Sequence, residues 1–128
     1  MIWAVAFLSN IFHDDELREI RRVAAREQQQ RAKSVGEKQK DNGGVQKVYH
    51  VPGTGLFTLV LYAHYLSEWI EWGGYWIMGG VTFVPGRVFL VNEVATMLPR
   101  AVQGRTWYLE RFGQAKVGNR KAVIPGLL

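Results

Sequence analysis

Residues 56–98 constrain this chain most, because they are apolar, aromatic and glycine-rich yet carry ionisable side chains in their interior. Phe57, Tyr62, Tyr65, Trp69, Trp72, Tyr75, Trp76, Phe83 and Phe89 crowd the stretch, and Pro85-Gly86 divides it. Two-residue alternation is sustained nowhere, so the natural parse is two hydrophobic helices of about 20–28 residues. Glu68 and Glu71 sit in the first, Arg87 and Glu93 in the second. Only fifteen residues between Glu71 and Arg87 lack charge, fewer than the ~18 of an unambiguous span. The predicted fold is all-α: an integral membrane helical bundle fragment of three long helices plus a short C-terminal tail. A soluble bundle of buried helices is the alternative.

The flanks differ sharply from this run. Residues 1–12 are almost wholly apolar, with Trp3, Phe7 and Phe12, and read as the tail end of a hydrophobic helix. They fall short of the ~20 residues that span a bilayer, and they lack the basic region and cleavage site of a secretory signal. The expectation is a chain that starts inside a longer protein; a short anchor is the alternative. Asp14 and Asp15 open a charged zone whose helix formers continue the same helix through Arg31. Gln28-Gln29-Gln30, several lysines and Asn42-Gly43-Gly44 then have the composition of a linker. Residues 22–47 are therefore expected to form a mobile basic loop, cytoplasmic by the positive-inside rule. After Pro99, Trp107, Tyr108 and Phe112 accompany arginines in a pattern suited to a helix end at a membrane interface. The last eight residues, a basic pair and an apolar tip, are expected to pack on the bundle.

Composition narrows the chemistry. The chain has 128 residues and no cysteine, which excludes disulfides, thiolate zinc sites and a cysteine nucleophile. A net charge of +5 favours an anionic partner: nucleic acid, acidic lipid or a phosphate-bearing cofactor. Nucleic acid is the poorest of the three, because the aromatic residues are not interleaved with the basic stretch. No GxGxxG or GxxxxGK[ST] motif occurs, and His13, His50 and His64 do not form a close metal-binding pair, so no metal is expected.

Polar residues recur at helical intervals within the greasy segments. His64, Glu68, Glu71, Trp72 and Tyr75 fall at i, i+4, i+7, i+8 and i+11 and share one helix face. Two carboxylates and an imidazole on such a helix belong in a polar cavity, since exposure to lipid costs about 2.5 kcal/mol or more per charge. The competing reading has the carboxylates pairing with arginines simply to fasten helices. Asn10, Asp14, Arg18 and Arg21 form a second strip, and Arg100, Gly104, Tyr108 and Arg111 a third. Arginine suits phosphate because its planar fork donates parallel hydrogen bonds. Three such helices around one cavity would accommodate a pyrophosphate or a 2′-phosphate. Gly73-Gly74 and Gly79-Gly80 are expected to permit close helix packing.

Taken together, these residues resemble a known family. Gly55-Leu56-Phe57, Tyr65, Glu68, Glu71-Trp72 and Tyr75 match the GLF…NY..E..EW.GY signature of steroid 5α-reductases. Trp107-Tyr108-Leu109-Glu110-Arg111-Phe112, then Arg120-Lys121-Ala122 and Ile124-Pro125, are similar to that family's WYL.KF…RKA.IP ending. Asn10-Ile11, Asp14, Leu17 and Arg21 resemble its N-I-H-S-D…LR segment. The blocks occur in family order and match the C-terminal domain of 3-oxo-5α-steroid 4-dehydrogenases.

The resemblance implies an all-helical integral enzyme of the endoplasmic-reticulum membrane that uses NADPH to reduce the Δ4 double bond of 3-oxosteroids. It carries the cofactor contacts onto Asn10, Asp14, Arg21, Tyr49, His64, Glu68, Trp72, Arg100 and Tyr108. His64 stands where the family usually has asparagine, and Gly104 where animal members have histidine. The segment over residues 23–47 is longer than in compact members. The resemblance also implies further transmembrane helices ahead of Met1, bearing the Glu and Tyr that address the steroid carbonyl; no catalytic residue is assigned in this chain, and alone it is expected to be inactive. Alternatives are an enoyl-CoA or polyprenol reductase of the same superfamily, or a non-enzymatic basic membrane protein that binds acidic lipids.

Overall fold

The computed structural model describes residues 1–35 and 49–128. Three α-helices dominate: α1 over Ile2–Val35, α2 over Ala63–Met78 and α3 over Val84–Val117. A 3-10 turn, Gly55–Thr58, leads into α2. Helix α1 lies along α2 and α2 along α3, which makes α2 the middle element. No strand forms among the described residues, so the fold is all-α; extended pairing is limited to an isolated parallel bridge between Val60 and Lys121.

The helix boundaries differ from the expected ones for identifiable reasons. Residues 22–35, assigned above to a loop, continue α1. Ala, Arg, Glu, Gln and Lys all hold a helix well, and Ala24 buries itself against the neighbouring segments. The rest of the expected loop, residues 36–47, lies outside the described residues. The break between α2 and α3 falls at residues 79–83, ahead of Pro85-Gly86. Gly80 takes a positive φ of 92°, whereas Pro85 opens α3, where its missing amide costs nothing. Gly86 serves that junction: a Cβ there would lie 2.8 Å from the Phe83 ring and 3.2 Å from the Trp76 Cα.

Helix α3 does not stop at Pro99. It runs on through Trp107 and Tyr108 and kinks at Gly113, whose φ is 75°. The expected second and last helices are thus one, and the three helices are two of 34 residues and one of 16. Among the described residues no helix is long and apolar enough to cross a membrane. The apolar part of α1 ends where Asp14 and Asp15 begin, α2 carries Glu68 and Glu71, and α3 carries Arg87 and Glu93.

Packing is tightest where α1 meets α2. A Cβ on Gly74 would come 3.2 Å from the Trp3 backbone nitrogen, so that glycine sets the approach of the two backbones, as expected. Deeper in, Phe57, Val60 and Ala63 are fully buried and receive Leu17, Leu56 and Leu66. A second cluster joins Ala101 of α3 to Ala122 and Val123 of the tail, covered by Tyr62, Tyr65, Leu66 and Trp69. Burying each of the larger side chains contributes about 1.5–3 kcal/mol. The tail, packed on the bundle as expected, also pairs through its backbone: the Lys121 and Ala122 carbonyls accept from the Leu61 and Tyr62 amides, both at 2.9 Å.

Arg120 closes this junction. Its Nη1 donates to the carbonyls of Pro52 (2.7 Å) and Phe57 (3.3 Å), its Nε to that of Val117 (2.7 Å) and its Nη2 to that of Lys116 (2.5 Å). One fork thereby satisfies acceptors on both sides of the core that no helix ladder reaches. Arg120→Ala is expected to lower the unfolding free energy by about 3 kcal/mol, the scale of losing charge-assisted bonds to buried carbonyls. Arg120→Lys, with a point charge in place of the fork, should recover less than half of that. Urea titration followed by far-UV circular dichroism measures both.

Candidate functional site

The entry to α2 is held by a histidine on α1. His13 is buried, and its Nε2 accepts the Leu56 amide at 3.1 Å while its Nδ1 donates to the Ser9 carbonyl at 2.6 Å. Accepting from a backbone amide fixes the neutral tautomer with the proton on Nδ1. The Ser9 and Ser67 hydroxyls meet at 2.9 Å one turn away, and the Asn10 amide donates to Glu71 Oε2 at 3.3 Å. What meets the buried Glu71 is therefore an amide, not the arginine of the fastening reading.

Beside this seam the three helices line an open cavity of about 520 Å³. Leu17, Ile20 and Arg21 of α1 form one wall, Tyr62, His64 and Tyr65 a second, and Trp107 and Tyr108 of α3 a third. Tyr49 and His50, both exposed, also line the cavity. Tyr49 packs edge-on against Trp107, and the Arg111 guanidinium lies over both rings, 4.9 Å and 5.6 Å from their centres. His50 is tied to α1 through Glu27 at 3.4 Å.

The cavity gathers four of the nine residues singled out from sequence: Arg21, Tyr49, His64 and Tyr108. Asp14 and Glu68 belong to an adjoining acidic patch, because Asp14 acts electrostatically on both His64 and Glu68. Asp14 also pairs with Arg18 at 2.9 Å on the exposed side of α1. Asn10 is engaged by Glu71, and Trp72 packs its ring 4.2 Å from Phe89. Arg100 is exposed on α3 and does not line the cavity. The strips therefore converge in part: the end of the α1 strip (Arg21), the start of the α2 strip (His64) and Tyr108 of the α3 strip meet, while Arg100 at the start of the α3 strip faces outward. Tyr62, Tyr65 and Trp107 line the cavity without having been assigned to it. Tyr62 precedes α2 and so lies off the helical spacing that links His64 to Glu68.

Burial governs the ionisable groups. It lowers the His64 pKa to about 4, with Asp14 opposing and His13 and Arg21 adding to the effect. Among the described residues the buried Nδ1 of His64 has no hydrogen-bond partner. Glu68 is raised, first by burial and then by Glu93 and Glu71, while a hydrogen bond with Trp72 pulls the other way. Tyr108 is raised by burial, against the pull of Arg120 and Arg21. The cavity thus has a cationic side toward Arg21 and an acidic side toward Asp14 and Glu68.

His64 makes the fold sensitive to acid. The unfolded chain takes up a proton there near pH 6.5 and the folded one only near pH 4, so stability falls as pH drops between those values. His64→Gln is expected to remove up to about 3 kcal/mol of that decline. Urea midpoints at pH 7 and pH 4.5 for both proteins measure it; parallel losses in the two would contradict the assignment.

The profile of the 3-oxo-5-alpha-steroid 4-dehydrogenase family matches residues 1–128. A Schizosaccharomyces pombe relative named only as uncharacterized protein C9.08c is 32% identical over 127 residues, covering 99% of this chain and 43% of its own. Steroid 5-alpha-reductase DET2 of Solanum lycopersicum is 42% identical over 79 residues, 62% of this chain and 30% of its own. The 3-oxo-5-alpha-steroid 4-dehydrogenase 1 of Rattus norvegicus is 31% identical over 131 residues, 99% of this chain and 40% of its own. The chain spans less than half the length of each of these relatives. With the profile covering its whole length, this all-helical chain belongs to the 3-oxo-5-alpha-steroid 4-dehydrogenase family, the steroid 5α-reductases.

Proposed function

We propose that this chain is the cofactor-holding part of an NADPH-dependent reductase that reduces the Δ4 double bond of 3-oxosteroids or a related lipid enone. The observation that carries the reading is the aromatic-walled cavity, with Arg21 on one wall and, on another, the buried His64 Nδ1 that has no partner among the described residues. Its residues fit a phosphorylated dinucleotide. A guanidinium suits phosphate, flat rings suit the heterocycles, and a buried imidazole nitrogen that no described residue pairs suits a hydrogen-bonding group of a ligand. NADPH, when bound, supplies the hydride.

Each group here has a task set by its environment. Arg21 and Tyr49 receive the anionic portion, and His64 offers its Nδ1 to a ribose or carboxamide group. Glu68 offers carboxyl oxygens that accept from a ligand hydroxyl or amide, a contact that offsets the burial and the neighbouring Glu93 and Glu71 that disfavour its charge. Asn10 orders Glu71, and Trp72 orders Glu68. Asp14, Tyr108 and Arg100 complete the proposed set; Arg100 takes part only if the ligand extends beyond the cavity along α3. The endoplasmic-reticulum location belongs to the same proposal. Its support is the exposed apolar surface of α1 at Ile2, Val5, Leu8, Ile11 and Phe12, suited to lipid contact.

A non-enzymatic role in binding acidic lipid gains little from the structure. Arg18 and Arg22 on α1 already face Asp14, Asp15 and Glu19 within their own helix. Titration of the detergent-purified protein with NADPH, read by tryptophan fluorescence, tests the reading. Glu68→Gln is expected to weaken NADPH binding about tenfold, the scale of one hydrogen bond to a charged group, while leaving the melting temperature equal or higher. A folded parent with no affinity for NADPH or NADP⁺ would overturn the proposal. Arg21→Ala is expected to weaken binding and flatten its dependence on salt, as befits a guanidinium on a phosphate.

A further inference from the structure

Gly104 lies in the interior of α3, where glycine weakens a helix, and it does not have the positive φ of Gly113 or Gly118. Space accounts for it. A Cβ built on Gly104 would fall 1.7 Å from the Tyr62 hydroxyl oxygen and 2.6 Å from the ring carbon that bears it. The phenol occupies the side-chain position that α3 leaves empty. There it sits 6.4 Å, ring to ring, from Tyr108 one turn further along α3, and 5.2 Å from Tyr65. Nothing in the helical spacing of α2 places it so, because Tyr62 stands just ahead of the helix.

The electrostatic surroundings say what such a group can bind. Burial and the neighbouring phenols Tyr108 and Tyr65 push the Tyr62 hydroxyl up to about 12, so it keeps its proton and remains a donor throughout the physiological range. No carboxylate figures among the groups that shift it. Tyr108 beside it feels Arg21 and Arg120. A neutral donor beside a phenol that feels two guanidinium groups, on a cavity whose lining includes Arg21, complements an anionic oxygen.

Resting on the nucleotide reading above, we propose that Tyr62 is a further ligand-contacting residue, its phenol standing in the side-chain space of Gly104 and donating a hydrogen bond to a phosphate oxygen of the bound dinucleotide. The pair then acts as a unit. A larger residue at position 104 and a tyrosine at position 62 exclude one another, so the polar contact on this wall comes from the α2 side in this chain.

Equilibrium dialysis of NADPH and of adenosine against the parent protein, Tyr62→Phe and Gly104→Ala, with melting curves for each, tests the inference. Tyr62→Phe keeps the ring and is expected to keep the melting temperature, to weaken NADPH about tenfold and to leave adenosine binding unchanged. In Gly104→Ala the added methyl group displaces the phenol and should produce the same selective loss. NADPH affinity in Tyr62→Phe equal to that of the parent overturns the inference and leaves the cofactor reading intact. Equal losses for NADPH and adenosine also overturn it, since they mark a packing role. A folded parent that binds no NADPH overturns the cofactor reading and this inference with it.

Discussion

The segment between Pro52 and Tyr62 is the point on which the molecule depends. Its buried residues Pro52, Phe57, Val60 and Leu61 are interleaved with exposed ones and only Gly55–Thr58 is helical, so most of its backbone groups cannot pair within a helix and burying them unpaired would be costly. Two parts of the chain far from it in sequence supply the missing partners. His13 of α1 takes the Leu56 amide, Arg120 donates to the Pro52 and Phe57 carbonyls, and the tail carbonyls take the Leu61 and Tyr62 amides. Because those partners come from α1 and from the residues just past α3, satisfying this one stretch ties the entry of α2 to both of its neighbours.

Much of this was legible in the sequence. The all-helical class followed from the lack of two-residue alternation, and the turn-by-turn placement of Arg21, His64 and Tyr108 anticipated their meeting at one cavity. Helix lengths were less legible, because a proline reads as a terminator unless its position in the first turn is known. Pro85 begins a helix and Pro99 sits on an exposed face within one. The glutamines at residues 28–30 have the composition of a linker, yet they are equally competent in a helix whose other face packs at Ala24.

The part of the site that escaped sequence reading escaped for a geometric reason. Helical spacing relates residues on one rod, whereas Tyr62 enters from the connection before α2 and fills a gap on α3. Only the missing side chain of Gly104 hinted at it, and a glycine in a helix does not by itself say what fills the gap. Arg100 shows the converse limit. It belongs by spacing to the same face as Tyr108, but over two turns a long helix carries a residue beyond the cavity edge.

The tail's position has a consequence for how the protein is made. Residues 120–124 leave the ribosome after α1, α2 and α3 have all been synthesised, yet they complete the core around Phe57 and Ala101. Until they emerge, the nascent chain holds an open apolar seam and a set of bare carbonyls, so productive folding is a late event. Any truncation upstream of Ala122 would leave that seam exposed to chaperones and proteases, however intact the three helices are.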